Sequence, residues 1–298
     1  MSAAAGWSSR QPGERPGALA AAIPYIRCPV CAGEVCLRDG QLACGRKHTF
    51  DIARQGYVNL AAGRPGPGTG DTVAMVAARG EFLGRGHYGP IADAVASLAA
   101  RHDGGDPGLA LDLAGGTGYY LSHALDMLPS RYGVCVDLSV PALRRAARAH
   151  PRAAALGADA WQPIPLATRS AALVLSVFGP RNPAETARIL TPSGTLIIAA
   201  PGSGHLREIR EPLGMIGIDE RKPERIAETH RDYADIDYAA VRYDLELDHT
   251  DLKALVSMGP SAHHTTPEAL AASVHALPTP VTVTVDVQIR VCQLPGRR

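Results

Sequence analysis

The sequence predicts an α/β fold with a mostly parallel sheet, preceded by a small module clamped around a metal. Three observations carry this reading. After Thr72, short continuous apolar runs alternate with helical segments, the pattern of parallel strands covered on both faces. Gly115, Gly116 and Gly118 cluster between one such strand and the next helix, where small residues let a ligand approach the backbone and a helix N-terminus offers free N–H groups. Near the start, Cys28, Cys31, Cys44 and His48 follow the spacing C-x2-C-x12-C-x3-H, which suits one tetrahedral zinc.

Length and composition set the frame. The 298 residues accommodate one core of about 200 residues and a small module beside it. Apolar residues make up 46% of the chain, and 30 basic side chains stand against 29 acidic ones. Net charge therefore neither demands nor excludes a polyanionic partner, and any nucleic-acid contact rests on a local patch. Residues 1–22 carry Ser, Gly, Pro and Arg with little periodicity and are expected to be a disordered extension. The apolar stretch Ala18–Ile23 ends at Pro24, too short for an export signal. No segment approaches the roughly 18–20 apolar residues of a membrane span, so the expected location is cytoplasmic, with no membrane partner.

The metal-binding module is expected over 23–60. Each close ligand pair would occupy adjacent corners of the tetrahedron, and Asp39-Gly40 supplies the tight turn of the hairpin between them. A disulfide reading requires an oxidising compartment. Cys36 lies five residues past Cys31 and fits neither pair, whereas Cys135 and Cys292 sit in apolar runs as core residues. Four protein ligands leave no open position for water, so the zinc is structural and holds together a segment with little core of its own. "FDIARQGYVNL" (50–60) supplies apolar side chains to pack against it. Residues 61–71, "AAGRPGPGTGD", hold four glycines and two prolines and read as a flexible linker, with the main domain over 72–298.

Helical patterns cover 72–84 and 88–102 in that domain. Strands are expected at 109–115, 132–139, 153–157, 171–179, 194–202 and 281–291, with helices at 119–128 and after Ser139. The turn in "LDLAGGTGYY" lacks the register of a dinucleotide fingerprint and the Lys-Ser/Thr of a P-loop. Asp112 closes the first strand. Asp137 closes the second, placed for ribose hydroxyls, and Asp159 and Ala160 follow the third, where an adenine edge would lie. Glycine turn, ribose acid and adenine acid in steps of about 22 residues make an adenosine site without a pyrophosphate.

"LDLAGGTGYY", "VDLS" and "GADA" resemble the successive motifs of class I S-adenosyl-L-methionine-dependent methyltransferases, which implies a Rossmann-like, seven-stranded sheet. With "CPVC", Cys44, His48 and "FDIARQGYVNL" ahead of that core, the chain resembles the bacterial 23S rRNA (guanine-N1-)-methyltransferases, a family that includes tylosin- and mycinamicin-resistance enzymes. The resemblance covers about 25–295 and extends to "FGPRNPAETARIL", "PGSGHL" and "SMGPSAHH". It implies that Cys28, Cys31, Cys44 and His48 hold zinc, and that Tyr88, Gly115, Gly116 and His205 contact the methyl donor. A packing aromatic and a capping histidine are the plain structural alternatives for Tyr88 and His205. The family's usual cysteine and acid are missing from the glycine turn, where Gly116 and Thr117 stand instead.

Guanine N1 carries a proton at neutral pH, so catalysis must align N1 with the sulfonium methyl and remove that proton. "FGPR" (178–181) stands where exocyclic-amine methyltransferases carry [N/D]-P-P-[Y/F], which speaks against adenine-N6 chemistry. Asp71 and His87 are candidate proton acceptors, each with a plain reading as a loop cap or solvated group, and the base stays unassigned. The family implies a 23S rRNA hairpin, helix 35 beside the peptide exit tunnel, as substrate, and a homodimer. Arg38, Arg46, Lys47 and Arg54 on the zinc module are candidates for steering phosphates. The mobile Arg64–Asp71 segment is a candidate to close over cofactor and RNA. Richness in Ala, Gly, Arg and Pro tilts the reading toward the actinomycete resistance branch. A small-molecule methyltransferase of antibiotic biosynthesis, or a non-catalytic RNA-binding protein keeping the cofactor fold, are the alternatives.

Overall fold

A computed structural model describes residues 17–61, 70–217 and 228–295. The expected extension lies outside the described residues up to 16. Residues 17–22 depart from that expectation, since Ala18–Ala22 form a helix (α1) whose Ala22 is fully buried. Residues 62–69, most of the expected 61–71 linker and 64–71 lid, also lie outside them.

The cysteine-rich segment folds as three short antiparallel strands, β1 (Val35–Arg38), β2 (Gln41–Cys44) and β3 (Thr49–Asp51). Arg38 faces Gln41 across the first turn. Asp39 and Gly40 both have positive φ, 49° and 77°, as a two-residue hairpin turn matched to strand twist requires.

Beyond it, α2 (Val73–Gly84) and α3 (Gly89–Arg101) precede the sheet. Strands β5 (Leu109–Leu113), β6 (Gly133–Asp137) and β7 (Ala153–Gly157) alternate with α4 (Tyr119–Met127) and α5 (Val140–Ala146). Then come β8 (Ala171–Val177), α6 (Pro183–Ile189), β9 (Leu190–Pro201) and the single turn α7 (Arg207–Arg210). The chain ends with β10 (Ala234–Leu247), helices His249–Ser257 and Pro267–His275, and β11 (Val281–Gln293). Sequence reading missed β10: its side chains alternate between exposed and half-buried, so no continuous apolar run marks it.

Strand order in the core is β10-β11-β9-β8-β5-β6-β7, with an eighth strand beside β7. The pairings from β9 through β7 are parallel, and β11 is antiparallel to both neighbours. This is the expected class I methyltransferase core with one strand added. The eighth, β4 (Val58–Asn59), comes from the cysteine-rich segment and pairs parallel with Leu156–Gly157 of β7.

The module is also joined, at its other end, to the loop between β7 and β8. Arg27 N–H donates to Pro165 O (2.9 Å), and Ala167 N–H to Tyr25 O (2.7 Å). Strand residues alternate between two cores, as period 2 demands. Ala110 and Cys135 face Tyr88, Leu121 and Leu143 among the helices. Leu109, Leu111, Leu113, Val134 and Val136 share the other core with Ala22, Ile26, Cys28, Leu42 and Cys44. The zinc module therefore helps to cover one face of the sheet.

Candidate functional site

At the metal site, β2 ends at Cys44, and the turn after it brings His48 back. A second turn holds Cys28 and Cys31, with Cys28 N–H bonded to Gly33 O at 2.8 Å. The four ligand atoms all lie within 4.8 Å of one another. Cys31 Sγ is 3.7 Å from Cys44 Sγ, and His48 Nδ1 is 3.5 Å from Cys28 Sγ and 3.4 Å from Cys44 Sγ. Zinc bonds of about 2.3 Å to sulfur and about 2.0–2.1 Å to nitrogen give tetrahedral edges of roughly 3.8 Å (S···S) and 3.6 Å (S···N), so three thiols and one imidazole fit zinc by spacing and donor type. Burial raises the Cys44 thiol, but backbone N–H groups of His48 and Arg46 outweigh it and bring the group down to about 6, toward the thiolate a metal needs. Cys36 is exposed and stands apart, its thiol directed at Ala43 O.

The second site lies at the C-terminal end of the parallel strands, where open α/β sheets bind ligands. Between β5 and α4, Ala114, Gly116 and Gly118 adopt left-handed φ of 52°, 58° and 76°. Gly115 admits no side chain, because a Cβ there would come 2.6 Å from the Asp112 carboxyl and 2.8 Å from Cys135 Sγ. Gly116 N–H donates to Asp137 Oδ2 and Ser139 N–H to Asp137 Oδ1, both at 2.8 Å. Asp137 thus fixes the turn, and each of its oxygens keeps lone-pair capacity for a hydroxyl donor.

A cleft of about 740 Å³ opens over this turn, within the range of small-molecule sites. Of the sequence candidates, Tyr88, Asp112, Gly115, Gly116 and His205 line it together. The Tyr88 hydroxyl meets His205 Nε2 at 3.2 Å, across 117 residues of chain. His205 Nδ1 accepts the Asp286 N–H at 3.2 Å. That bond assigns the proton to Nε2, so Nε2–H donates to the Tyr88 oxygen and the tyrosine hydrogen is left to point elsewhere.

Among the described residues, three cleft-lining side chains keep a buried polar atom without a hydrogen-bond partner: Asp112 Oδ2, the Tyr120 hydroxyl and Arg181 Nε. Unpaired buried polar atoms are costly and mark where a ligand completes the site. Burial, with the Asp137 carboxylate beside it, pushes Asp112 up to about 8. The shift favours the neutral acid until a cation arrives. An amino-acid ammonium fits Asp112, and the bare backbone at Gly115–Gly116 lets a ligand lie close against it.

Asp137, Asp159 and Ala160 do not line the cleft. Asp137 sits directly behind its glycine wall. Asp159 Oδ1 accepts the Trp161 N–H at 2.9 Å, and Ala160 is buried with its carbonyl taken by Asn182 Nδ2. The neighbour of both, Trp161, does line it. Asp71 forms an ion pair with Arg79, and His87 Nε2 meets Asp251 Oδ1 at 2.8 Å. Neither candidate proton acceptor reaches the cleft wall. Arg79, Tyr120, Trp161, Phe178 and Arg181 line it without having been singled out. Only "FGPR" carried a signal, as the segment after the fourth core strand.

Residues 26–61 match the zinc-ribbon family described as RlmA, N-terminal. The 23S rRNA (guanine(748)-N(1))-methyltransferase of Streptomyces fradiae is 43% identical over 273 residues, spanning 91% of this chain and 97% of its own length. A putative 23S rRNA (guanine-N(1)-)-methyltransferase of Micromonospora griseorubida is 44% identical over 285 residues, 90% of this chain and 96% of its own. The putative enzyme YxjB of Bacillus subtilis is 30% identical over 274 residues, covering 89% and 96%. Identity of this extent, running through both the metal ribbon and the cleft, makes the chain a member of the 23S rRNA (guanine-N1)-methyltransferase family.

Proposed function

We infer that the protein methylates N1 of a guanine in a hairpin loop of 23S rRNA, with S-adenosylmethionine as donor. The carrying observation is the 43–44% identity with guanine-N1-methyltransferases over about nine-tenths of both chains. The position printed for the S. fradiae relative, 748, is the first to test. Bound in the cleft, S-adenosylmethionine supplies a methyl on a sulfonium, ready for in-line displacement. Asp112 would meet the ammonium, and Tyr88 and His205 would form one wall. Asp137, Asp159 and Ala160 lie outside that wall, so the ribose and adenine contacts expected of them would need the donor to reach past the glycine turn, while Asp137 holds that turn through Gly116 N–H. Zinc on Cys28, Cys31, Cys44 and His48 holds the ribbon in shape and takes no part in the transfer.

RNA docking on the ribbon belongs to the same proposal. Arg38, Arg46, Lys47 and Arg54 are all exposed, and five basic against three acidic residues over 23–60 favour a phosphate backbone. Among the described residues no helix is long and apolar enough to cross a membrane; the proposed ribosomal substrate supports a cytoplasmic enzyme. Resistance to tylosin- and mycinamicin-type macrolides is the biological consequence we propose. A homodimer, which the resemblance implies, is read by light scattering of the purified protein.

Primer extension tests the whole reading. N1-methylguanine cannot pair, so rRNA from cells expressing the gene should halt reverse transcriptase at one guanine of the hairpin. Asp137→Ala should abolish that stop, with zinc content unchanged. Absence of the stop in cells with the intact gene overturns the proposal.

A further inference from the structure

Three arginines line the cleft, and two of them are already engaged. Arg79 pairs with Asp71 and donates to Met258 O at 2.8 Å, while Arg210 donates to Ser203 O at 2.9 Å. Arg181 makes no hydrogen bond and no ion pair among the described residues, although its Nε is fully removed from solvent. Burial lowers its pKa from the ordinary value, yet an arginine stays protonated under any such shift. Arg181 is half-buried, with Nε shielded from water and its charge unpaired among the described residues. A shielded, unpaired N–H is destabilising, so this end of the cleft offers a donor and a cation to an incoming ligand.

The surroundings say what shape that ligand has. Arg181 ends the turn after β8, and Gly179 of that turn abuts Leu113 O (3.1 Å from an added Cβ) and Ala114, the foot of the glycine turn. Phe178, at the start, is held at φ 55° and stays 38% exposed in the cleft. A left-handed conformation is an outlier for a bulky residue, and here it aims a ring into the cleft. Phe178 lies 6.2 Å from the Tyr120 ring and 6.2 Å from His205, and Trp161, 64% exposed, lines the same mouth. Exposed flat faces beside a half-buried cation suit a splayed-out base, which stacks on them, better than a tetrahedral phosphate, which has no face to stack.

We propose that the Phe178–Arg181 turn with Trp161 seats the target guanine, and that the Arg181 guanidinium pairs with O6 of the N1-deprotonated base. This inference rests on the reaction proposed above. Guanine N1–H gives its proton to water at the open mouth, and the electron pair spreads over N1 and O6. Arg181 stabilises that anion and keeps its own proton throughout. The N1 pair then forms the new N–C bond while the C–S pair stays on sulfur, so anion and sulfonium end as neutral methylguanine and neutral thioether. A cation opposite O6 therefore lowers the pKa of N1 and favours the transition state over the neutral ground state.

The test compares wild type, Arg181→Gln and Arg181→Lys on the 23S hairpin transcript, with single-turnover rate measured against pH. Calorimetry supplies the affinities for S-adenosylmethionine and for RNA. Arg181→Gln should be slower by on the order of 100-fold near pH 7, and its rising limb should move to higher pH so that the deficit narrows. Both affinities should stay within about threefold. The other ionisable groups on the wall are Arg79 on α2, Tyr88 ahead of α3, Asp112 on β5, Tyr119 and Tyr120 on α4, and His205 and Arg210 after β9. All are common to the three proteins, so a displaced limb belongs to position 181. Arg181→Lys, which keeps the charge, should recover most of the rate and a limb close to wild type, and it decides the matter if the glutamine variant fails to fold.

An unchanged rate, or an equal loss at every pH, overturns the proposal. So does a rise in the cofactor Kd, which would give Arg181 to the donor's carboxylate. Weaker RNA binding with a salt slope reduced by about one would give it to a phosphate. A wild-type protein that makes no N1-methylguanine refutes the reaction itself and is thereby distinguished from failure of this assignment.

Discussion

Asp112 shows how one residue ties the cleft to stability. Its folded-state value of about 8 lies above the ~3.9 of an unperturbed aspartate. The folded chain therefore holds a proton that the unfolded chain has released from about pH 4 upward. Stability of the ligand-free protein should fall as pH rises from about 4 to about 8, with the loss complete above that. Asp112→Asn removes the titration, so urea midpoints between pH 5 and 8 should slope less than in wild type. The same variant cannot offer a carboxylate to an ammonium, and loss of a charge-assisted hydrogen bond predicts an S-adenosylmethionine Kd higher by about 10- to 100-fold. A variant with the wild-type slope and affinity would show that Asp112 is ionised and engaged elsewhere.

At the scale of elements, the start of α5 shows local chemistry acting over distance. Ser139 Oγ caps the helix by accepting the Ala142 N–H at 3.3 Å, and its own hydrogen goes to Asp71 O at 2.7 Å. It is buried, so Ser139→Ala should cost about 1–2 kcal/mol in chemical denaturation. It should also loosen the approach from residue 70 to α2, read as faster amide exchange at Met75 and Val76. Strand β10 teaches the opposite lesson about legibility. It lies at the sheet's edge and pairs on one side with β11. Val241, Tyr243, Leu245 and Leu247 alternate with Arg242, Asp244 and Glu246, a period-2 signal that a search for continuous apolar runs passes over. The zinc hairpin, by contrast, was readable from Asp39-Gly40 and the ligand spacing, because turn geometry and chelation are both set within a few residues.

For the whole molecule, the decisive fact is that the ribbon and one face of the sheet share a core. A bead on a linker would melt alone. Here Cys28 and Cys44 are buried with Leu111, Val134 and Leu156, and β4 extends the sheet itself. Removing zinc with a chelator should therefore lower the single calorimetric transition of the entire chain, by about 10 °C or more if several kcal/mol are lost. Cys44→Ser should do the same without chelator. Two transitions, with the upper one unmoved by metal removal, would refute the shared core.

The sequence by itself determined the metal ligands' spacing, the glycine turn after β5 and most of the strand alternation, since each depends on residues close together in the chain and on a fixed period. It placed Asp112, Gly115 and Gly116 in one stretch for the same reason. Only the tertiary structure decided that Tyr88 reaches His205, that Asp137 stands behind the cleft and bonds to Gly116, and that Arg181 faces the cleft unpaired. The same holds for α1 folding onto the sheet and for Val58–Asn59 joining it. These outcomes depend on which elements the topology makes neighbours, and a pairing across a hundred residues leaves no mark on the pattern of either segment alone.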